Sequence, residues 1–110
     1  MAVEARFDEA IHAPTRLRLC AMLRPLESAD FGVLAGTLDV SDANLSKTIR
    51  NLVDIGYLAV SKHSSPGRGD ARRVTTVSLT PLGRHALDGH LAALRELATL
   101  AQESGASVPE

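Results

Sequence analysis

The residues of this sequence that could do chemistry are concentrated between Ser41 and Asn51. The hydrogen-bonding side chains of this stretch are Ser41, Asn44, Ser46, Lys47, Thr48, Arg50 and Asn51. Asparagine can make paired hydrogen bonds to adenine, and arginine or lysine can reach guanine acceptors or phosphates. Serine and threonine hydroxyls can donate to phosphate oxygens. These residue types at this spacing are suited to binding DNA.

A helix over residues 42–55 would position these side chains. The apolar residues that fall on one side of that helix, and must face a core, are Leu45, Ile49, Leu52 and Val53. The opposite side holds Ala43, Asn44, Lys47, Arg50 and Asn51, with Ser46 and Thr48 at its flanks. Ser41 is suited to cap the start of the helix, and Gly56 to end it.

The polar face of this helix also has a simpler interpretation, because any surface helix exposes polar side chains. Two features favour a nucleic-acid surface instead. The outer face carries one acidic residue, Asp54, late in the helix, and the helix follows a tight turn at Val40 and Ser41. Asp42 lies at the N-terminal end, where a carboxylate suits the helix dipole.

A second basic group lies in a predicted hairpin that joins strands over residues 57–63 and 73–79. Its cations are Lys62, Arg68, Arg72 and Arg73, against one acid, Asp70. Gly67 and Gly69 would let the tip curl so that Arg68 projects, as a wing entering a minor groove requires. A solvated hairpin with incidental arginines is the alternative. Because the hairpin accompanies a basic helix face, we favour the interpretation that it is a DNA-binding wing.

The rest of the chain completes a small domain. We predict a helix over residues 14–23 with Pro14 at its first position, preceded by a helical turn in 7–12. Another helix begins after the N-cap Asp30 and includes Leu38. The last helix begins at Thr80 and Pro81 and runs to about Gln102. The order α-α-α-β-β-α predicts a mainly α, α+β winged helix-turn-helix domain over residues 1–102, with a flexible tail over 103–110.

The charge is distributed unevenly along the 110 residues. Twelve Lys and Arg stand against thirteen Asp and Glu, a formal net charge of -1. Between residues 44 and 73 there are six basic and two acidic residues, which gives +4, so the remainder carries −5. A local positive face of this kind is the electrostatic footprint of a DNA-binding domain. The near-neutral total therefore does not exclude nucleic acid.

Composition excludes several other classes. One cysteine allows no internal disulfide, and three aromatic residues make a stacking platform for single-stranded nucleic acid improbable. Apolar runs are too short for a membrane span, and the N-terminus lacks the features of a signal peptide, so we expect a cytoplasmic protein without a membrane partner. No catalytic motif is present, and we expect neither an enzyme nor a cofactor.

The candidate metal ligands do not form a site in sequence. Cys20 lies on the apolar side of its helix, where a buried structural thiol is the simpler interpretation. His12, His63, His85 and His90 do not fall at ligand spacing, and the pair Asp8 and His12 is too small a set. We therefore predict no metal site.

Three stretches resemble winged helix-turn-helix transcriptional regulators of the MarR and ArsR type, especially their small single-domain "winged helix DNA-binding domain" subgroup. They are IHAPTRLRLCAML (residues 11–23), DFGVLAGTLDVSDANLSKTIRNLVDIGYLAVSK (30–62) and TTVSLTPLGRHAL (75–87). Their order and spacing together carry the resemblance. It implies a homodimer whose helix 42–55 lies in the major groove of a pseudo-palindromic double-stranded operator, flanked by the wing 62–73.

The resemblance also implies that the first and last helices form the dimer interface. The last helix, about 80–102, carries an apolar stripe that a small core would not cover, namely Leu87, Leu91, Leu94 and Ala98. That this stripe packs within the monomer remains the alternative. A small-molecule effector pocket is compatible with the fold. A winged-helix protein-docking module without DNA binding is the alternative function, and the basic face disfavours it.

Overall fold

The computed structural model describes residues 3–65 and 72–107. In chain order its elements are α1 (Glu9–His12), α2 (Pro14–Leu23), β1 (Ala29–Asp30), α3 (Phe31–Leu38), α4 (Asp42–Asp54), β2 (Leu58–Ser65), β3 (Arg72–Leu79) and α5 (Pro81–Ser107). The predicted order is confirmed, with one strand added. The fold is the predicted α+β winged helix.

Side-chain caps begin the helices where the sequence predicts them. The Asp30 carboxylate accepts hydrogen bonds from the backbone N–H groups of Gly32 and Val33 at 2.7 and 3.3 Å. Thr80 Oγ1 accepts from the backbone N–H of Gly83 at 3.0 Å, in the first turn of α5. Each cap satisfies donors that have no partner within their helix.

The sheet has three antiparallel strands in the order β1-β3-β2. β2 and β3 form the predicted hairpin, paired from Leu58 with Leu79 to Ser65 with Arg72. β1 pairs Ala29 with Val77 and was not predicted. It has two residues, too few to show an alternating pattern, and only its partner strand defines it.

The core draws a buried side chain from nearly every element. The fully buried aliphatic residues include Ile11, Leu19, Leu23, Leu45, Leu52, Val77 and Leu87. They lie where α2 and α3 pack on each other and on β3, and where α4 packs on α3 and β2. This packing holds α4 with its opposite face outward.

α5 changes its environment along its 27 residues. Leu87 is fully buried, Leu91 and Leu94 are half-buried, and Ala98 is exposed. The predicted dimer role of Leu87 is therefore wrong, because α1, α2 and β3 cover this part of α5. The predicted helix end near Gln102 is also wrong, since the helix continues to Ser107. Extending an existing helix costs far less than nucleating one.

The predicted flexible tail, residues 103–110, therefore overlaps the end of α5. Residues 108–110 lie outside the described part of the chain. Within residues 3–65 and 72–107, no helix combines the length and apolar character needed to cross a membrane.

Candidate nucleic-acid interface

α4 separates its polar and apolar side chains as the sequence predicts. Leu45, Ile49 and Leu52 are buried in the core. The exposed side chains of the helix include Asn44, Ser46, Lys47 and Arg50, with Asn51 half-buried at the edge. Four donor-bearing side chains therefore share one solvent-facing surface of a rigid helix.

Two residues of α4 differ from their predicted positions. Thr48 was expected on the exposed flank, but only 8% of it is accessible. It lies three residues after Leu45 and four before Leu52, so the helix turns it toward the core. Val53 was expected in the core and is 37% exposed. The prediction that Thr48 offers its hydroxyl to DNA is wrong for this physical reason.

Ser41 caps α4 and still retains a donor. Its Oγ accepts a hydrogen bond from the backbone N–H of Asn44 at 3.1 Å. A hydroxyl that accepts one hydrogen bond keeps its own O–H free to donate. Ser41 is exposed, so this O–H is accessible from solvent at the N-terminal end of α4.

The hairpin places further cations beside α4. Lys62 on β2 and Arg73 on β3 are exposed, and the register pairs them with Thr75 and Ser64. Arg68 and the side chain of Arg72, both predicted for the wing, lie outside the described residues.

A groove of about 410 Å³ joins α4 to the hairpin. Arg50 from α4 and Lys62 from β2 both line it, together with Ser46. Val53 and Val60 supply apolar surface, with Val60 41% exposed. Sequence reasoning missed both valines, because their shared position depends on how the hairpin folds beside α4. The groove can take a polyanion whose apolar parts contact the valines.

The described cations of this surface are not neutralised by neighbouring carboxylates. Across residues 3–65 and 72–107, the ion pair observed joins Arg24 to Asp88, whose Nε and Oδ1 atoms are 2.9 Å apart. That hydrogen bond lowers the pKa of Asp88. Lys47, Arg50 and Lys62 take no part in it. Their charges are therefore available to phosphates.

A family model described as "Winged helix DNA-binding domain" matches residues 15–98. The chain belongs to this family. The matched range includes both the polar face of α4 and the hairpin beside it. A comparison with curated proteins finds no significant match.

Solved structures share the fold. A transcriptional regulator homologue from Pyrococcus horikoshii OT3 is 25% identical, with a TM-score of 0.72 over 92% of this chain and 91% of that chain. The zinc-responsive MarR family member ZitR from Lactococcus lactis is 18% identical, with a TM-score of 0.60 over 100% and 73%. The heme sensor protein PefR from Streptococcus agalactiae, in complex with heme, is 21% identical, with a TM-score of 0.66 over 84% and 62%.

The family and these neighbours establish the general function. The chain is a DNA-binding transcriptional regulator with a winged helix, and proteins of this kind are not enzymes.

Tyr57 connects the end of α4 to the rest of the domain. It lies between the end of α4 and the start of β2, and its backbone N–H donates to the Leu52 carbonyl at 2.9 Å. Its hydroxyl donates to Asp8 Oδ2 at 2.6 Å, a contact that raises the pKa of Tyr57 to about 12. The two residues are far apart in sequence, so no local pattern indicated this contact.

The histidines and the cysteine of the regulator do not form a metal centre. Among the described residues, no group of three or more His, Cys, Asp and Glu side chains is placed to hold an ion. Cys20 is buried, as predicted, and burial raises the pKa of its thiol to about 11. His12 and His90, however, meet across the fold. The two histidines are 78 positions apart, so their spacing in the sequence could not indicate this contact.

Proposed function

We propose that the regulator binds a specific double-stranded operator as a homodimer, with α4 in the major groove and the wing 62–73 along the minor groove and backbone. The observation that carries this is the groove shared by Arg50 and Lys62 beside the exposed polar face of α4. A helix of this width fits the major groove of B-DNA.

Within this proposal, base edges and phosphates are contacted by different side chains. Asn44 and Asn51 are suited to bidentate hydrogen bonds with adenine. Arg50 is suited to a guanine or a phosphate, and Lys47 to a phosphate. Ser41 and Ser46 position the helix by donating to phosphate oxygens. Thr48 is buried and is left out of the interface.

We propose that the wing contributes charge rather than direct base readout. Lys62 and Arg73 are exposed on its two strands, within reach of a backbone that runs past the end of α4. On sequence grounds, Arg68 and Arg72 extend this positive surface to the tip. Cations that enter or border a narrow minor groove gain from its enhanced negative potential.

The second half of α5 supports the proposed dimer. Leu97 and Leu100 are 51% and 59% exposed, and with Phe7 they line a surface groove of about 780 Å³. Ala98 is exposed beside these leucines, and the half-buried Leu91 and Leu94 continue the stripe toward the core. Arg95 and Glu103 also line the groove. We propose that two antiparallel α5 helices cross at Thr99, which would place Arg95 opposite the partner's Glu103. A two-fold dimer predicts a pseudo-palindromic operator.

We further propose that the regulator acts in the cytoplasm and responds to a small-molecule effector. The heme sensor protein PefR, which is similar in fold, is in complex with heme, and this supports the proposal of an effector. In this chain a cavity of about 410 Å³ lies between residues 4–12, which we call the N-terminal segment, and α5. Arg6, Tyr57 and His85 form part of its lining.

Selection of bound sites from random DNA at two salt concentrations tests the proposal. We expect one enriched sequence with two-fold symmetry and half-sites separated by about one helical turn. Affinity should fall steeply between 50 and 200 mM salt, by on the order of a thousandfold for 6–10 phosphate contacts. Enrichment of no sequence, or of an asymmetric single site, would contradict it.

Substituting Asn44→Ala should relax specificity at one base pair of each half-site. Asn44 is exposed, so its loss leaves the core intact, while a mismatched base pair typically costs about 1–3 kcal/mol. Repeating the site selection with this variant measures the effect. An unchanged base preference at every position would remove Asn44 from the reading residues.

Substituting Lys47→Ala should weaken binding to all sequences alike. Each lost phosphate contact lowers the slope of log affinity against log salt by about 1, and the dimer loses one per half-site. Fluorescence anisotropy titrations over a salt series measure this slope. Arg18→Ala, which removes an exposed cation from α2, is the control and should keep the wild-type slope.

A further inference from the structure

A pair of histidines joins the N-terminal segment to α5. His12 Nδ1 and His90 Nε2 are 3.3 Å apart, and the backbone N–H of Asp8 donates to His90 Nδ1 at 2.9 Å. The Phe7 ring lies 4.7 Å from each imidazole centroid. His90 is fully buried, whereas His12 is exposed.

These contacts determine where the protons are. The Asp8 N–H donates to Nδ1 of His90, so this nitrogen must be unprotonated. A neutral His90 therefore carries its proton on Nε2. That Nε2–H then donates to His12 Nδ1, which must also be bare. A proton added to Nδ1 of His90 would face the Asp8 N–H. The arrangement therefore requires a neutral His90 ring.

The same segment is attached to α5 and to the end of α4. The Arg6 backbone N–H donates to the Gly89 carbonyl at 2.9 Å, and a Cβ on Gly89 would lie 3.1 Å from the Glu4 carbonyl oxygen. Asp8 also accepts the Tyr57 hydroxyl at the junction of α4 and β2. A series of direct contacts therefore runs from His90 through Asp8 and Tyr57 to the end of α4 and the start of β2.

The charged and titratable groups around His90 come from several elements. His12 disfavours a positive charge on His90, whereas Asp8 and Glu9 favour one. Across the core, Cys20 is a neutral thiol, and Tyr57 is held protonated by Asp8. Burial is the largest influence, followed by His12, and together they lower the pKa of His90 from its ordinary value of 6.5.

We propose that His12 and His90 form an acid-sensitive latch: protonation of His90 releases the N-terminal segment from α5 and, through Asp8 and Tyr57, loosens the α4–β2 junction and weakens operator binding. The last step rests on the binding mode proposed above. Because the folded state disfavours the proton, the latch is fully closed above the ordinary histidine pKa. It opens as the pH falls below that value.

The experiment compares operator affinity at pH 7.5 and pH 5.5 for wild type and His90→Gln. A glutamine amide can accept from the Asp8 N–H and donate to His12, but it does not titrate. We expect wild-type affinity to fall about 3- to 10-fold, since one linked proton changes an equilibrium by at most tenfold per pH unit. In His90→Gln the affinity should change by less than about twofold between the two pH values, because the side chain at this position no longer titrates.

Two further variants separate the latch from other effects. His85→Gln changes an exposed histidine on the same helix and should keep the wild-type response. His12→Asn, at an exposed site that tolerates substitution, should show a response intermediate between wild type and His90→Gln. Equal pH responses in wild type and all variants would overturn the proposal.

Two measurements on the DNA-free protein judge the latch independently of operator binding. Amide exchange at Arg6 and Asp8, corrected for intrinsic rates, should accelerate between pH 7.5 and 5.5 in wild type. Nitrogen NMR should show a bare Nδ1 and a protonated Nε2 on His90 at pH 7.5, and the reverse would overturn the proposal. If no DNA binds at pH 7.5 while both measurements hold, the binding mode fails and the latch stands.

Discussion

Replacing both Leu97 and Leu100 with glutamate is expected to convert the proposed homodimer into a monomer with at least about 100-fold weaker operator binding. The two leucines are 51% and 59% exposed, and burying such a side chain contributes roughly 1.5–3 kcal/mol. Four introduced carboxylates at one interface would also repel one another. A monomer then loses the second half-site, and linked half-sites typically contribute 10²- to 10⁴-fold. Sedimentation equilibrium and operator titration measure both effects.

Leu82→Glu is the matched control, because Leu82 is 55% exposed on the first turn of the same helix. This variant should remain dimeric. The antiparallel arrangement has its own test: Arg95→Glu alone should weaken the dimer, and adding Glu103→Arg should restore it. A double leucine variant that sediments as wild type would remove α5 from the interface.

Substituting Gly83→Ala is expected to destabilise the fold by about 3 kcal/mol, at the upper end of what overpacking normally costs. A Cβ at this position would lie 2.1 Å from the Tyr57 carbonyl oxygen and 2.9 Å from its carbonyl carbon. Both are backbone atoms, so α5 itself must move. That movement would break the hydrogen bond from the Thr80 N–H to the Tyr57 carbonyl. Urea denaturation measures the loss of unfolding free energy.

Gly36→Ala is the control for this experiment. Gly36 is also helical, in α3, and a Cβ there would meet no atom within 4 Å. Alanine should therefore stabilise the protein by up to about 1 kcal/mol through its higher helix propensity. If both substitutions raised the stability, the close approach of α5 to Tyr57 would not exist in solution.

The elements of the domain were predictable where the information is local. Asp30 and Ser41 start helices through hydrogen bonds to backbone groups two or three residues away, so their sequence neighbours suffice to place them. Gly56 follows α4 with a φ of 87°, a conformation that glycine adopts without strain. The polar face of α4 was likewise predictable from helical periodicity alone.

Errors arose where a residue's environment depends on distant chain. Leu87 belongs to the apolar stripe of α5, yet the body of the domain covers it and leaves Leu97 and Leu100 exposed. Thr48 lies near the boundary of two faces, and only the packed core shows that it is buried. Periodicity gives the direction in which a side chain points from its helix. It does not show whether another part of the domain covers that side chain.

By itself, the sequence determined the winged-helix order, the helix starts and the cations suited to DNA, because caps, periodicity and turn residues act over a few positions. Only the tertiary structure decided which of these surfaces stay exposed. It also decided that Arg50 and Lys62 share a groove, and that Asp8, Tyr57, His12 and His90 form one network. Such contacts join residues up to 82 positions apart, and only the packing of the whole domain brings them together.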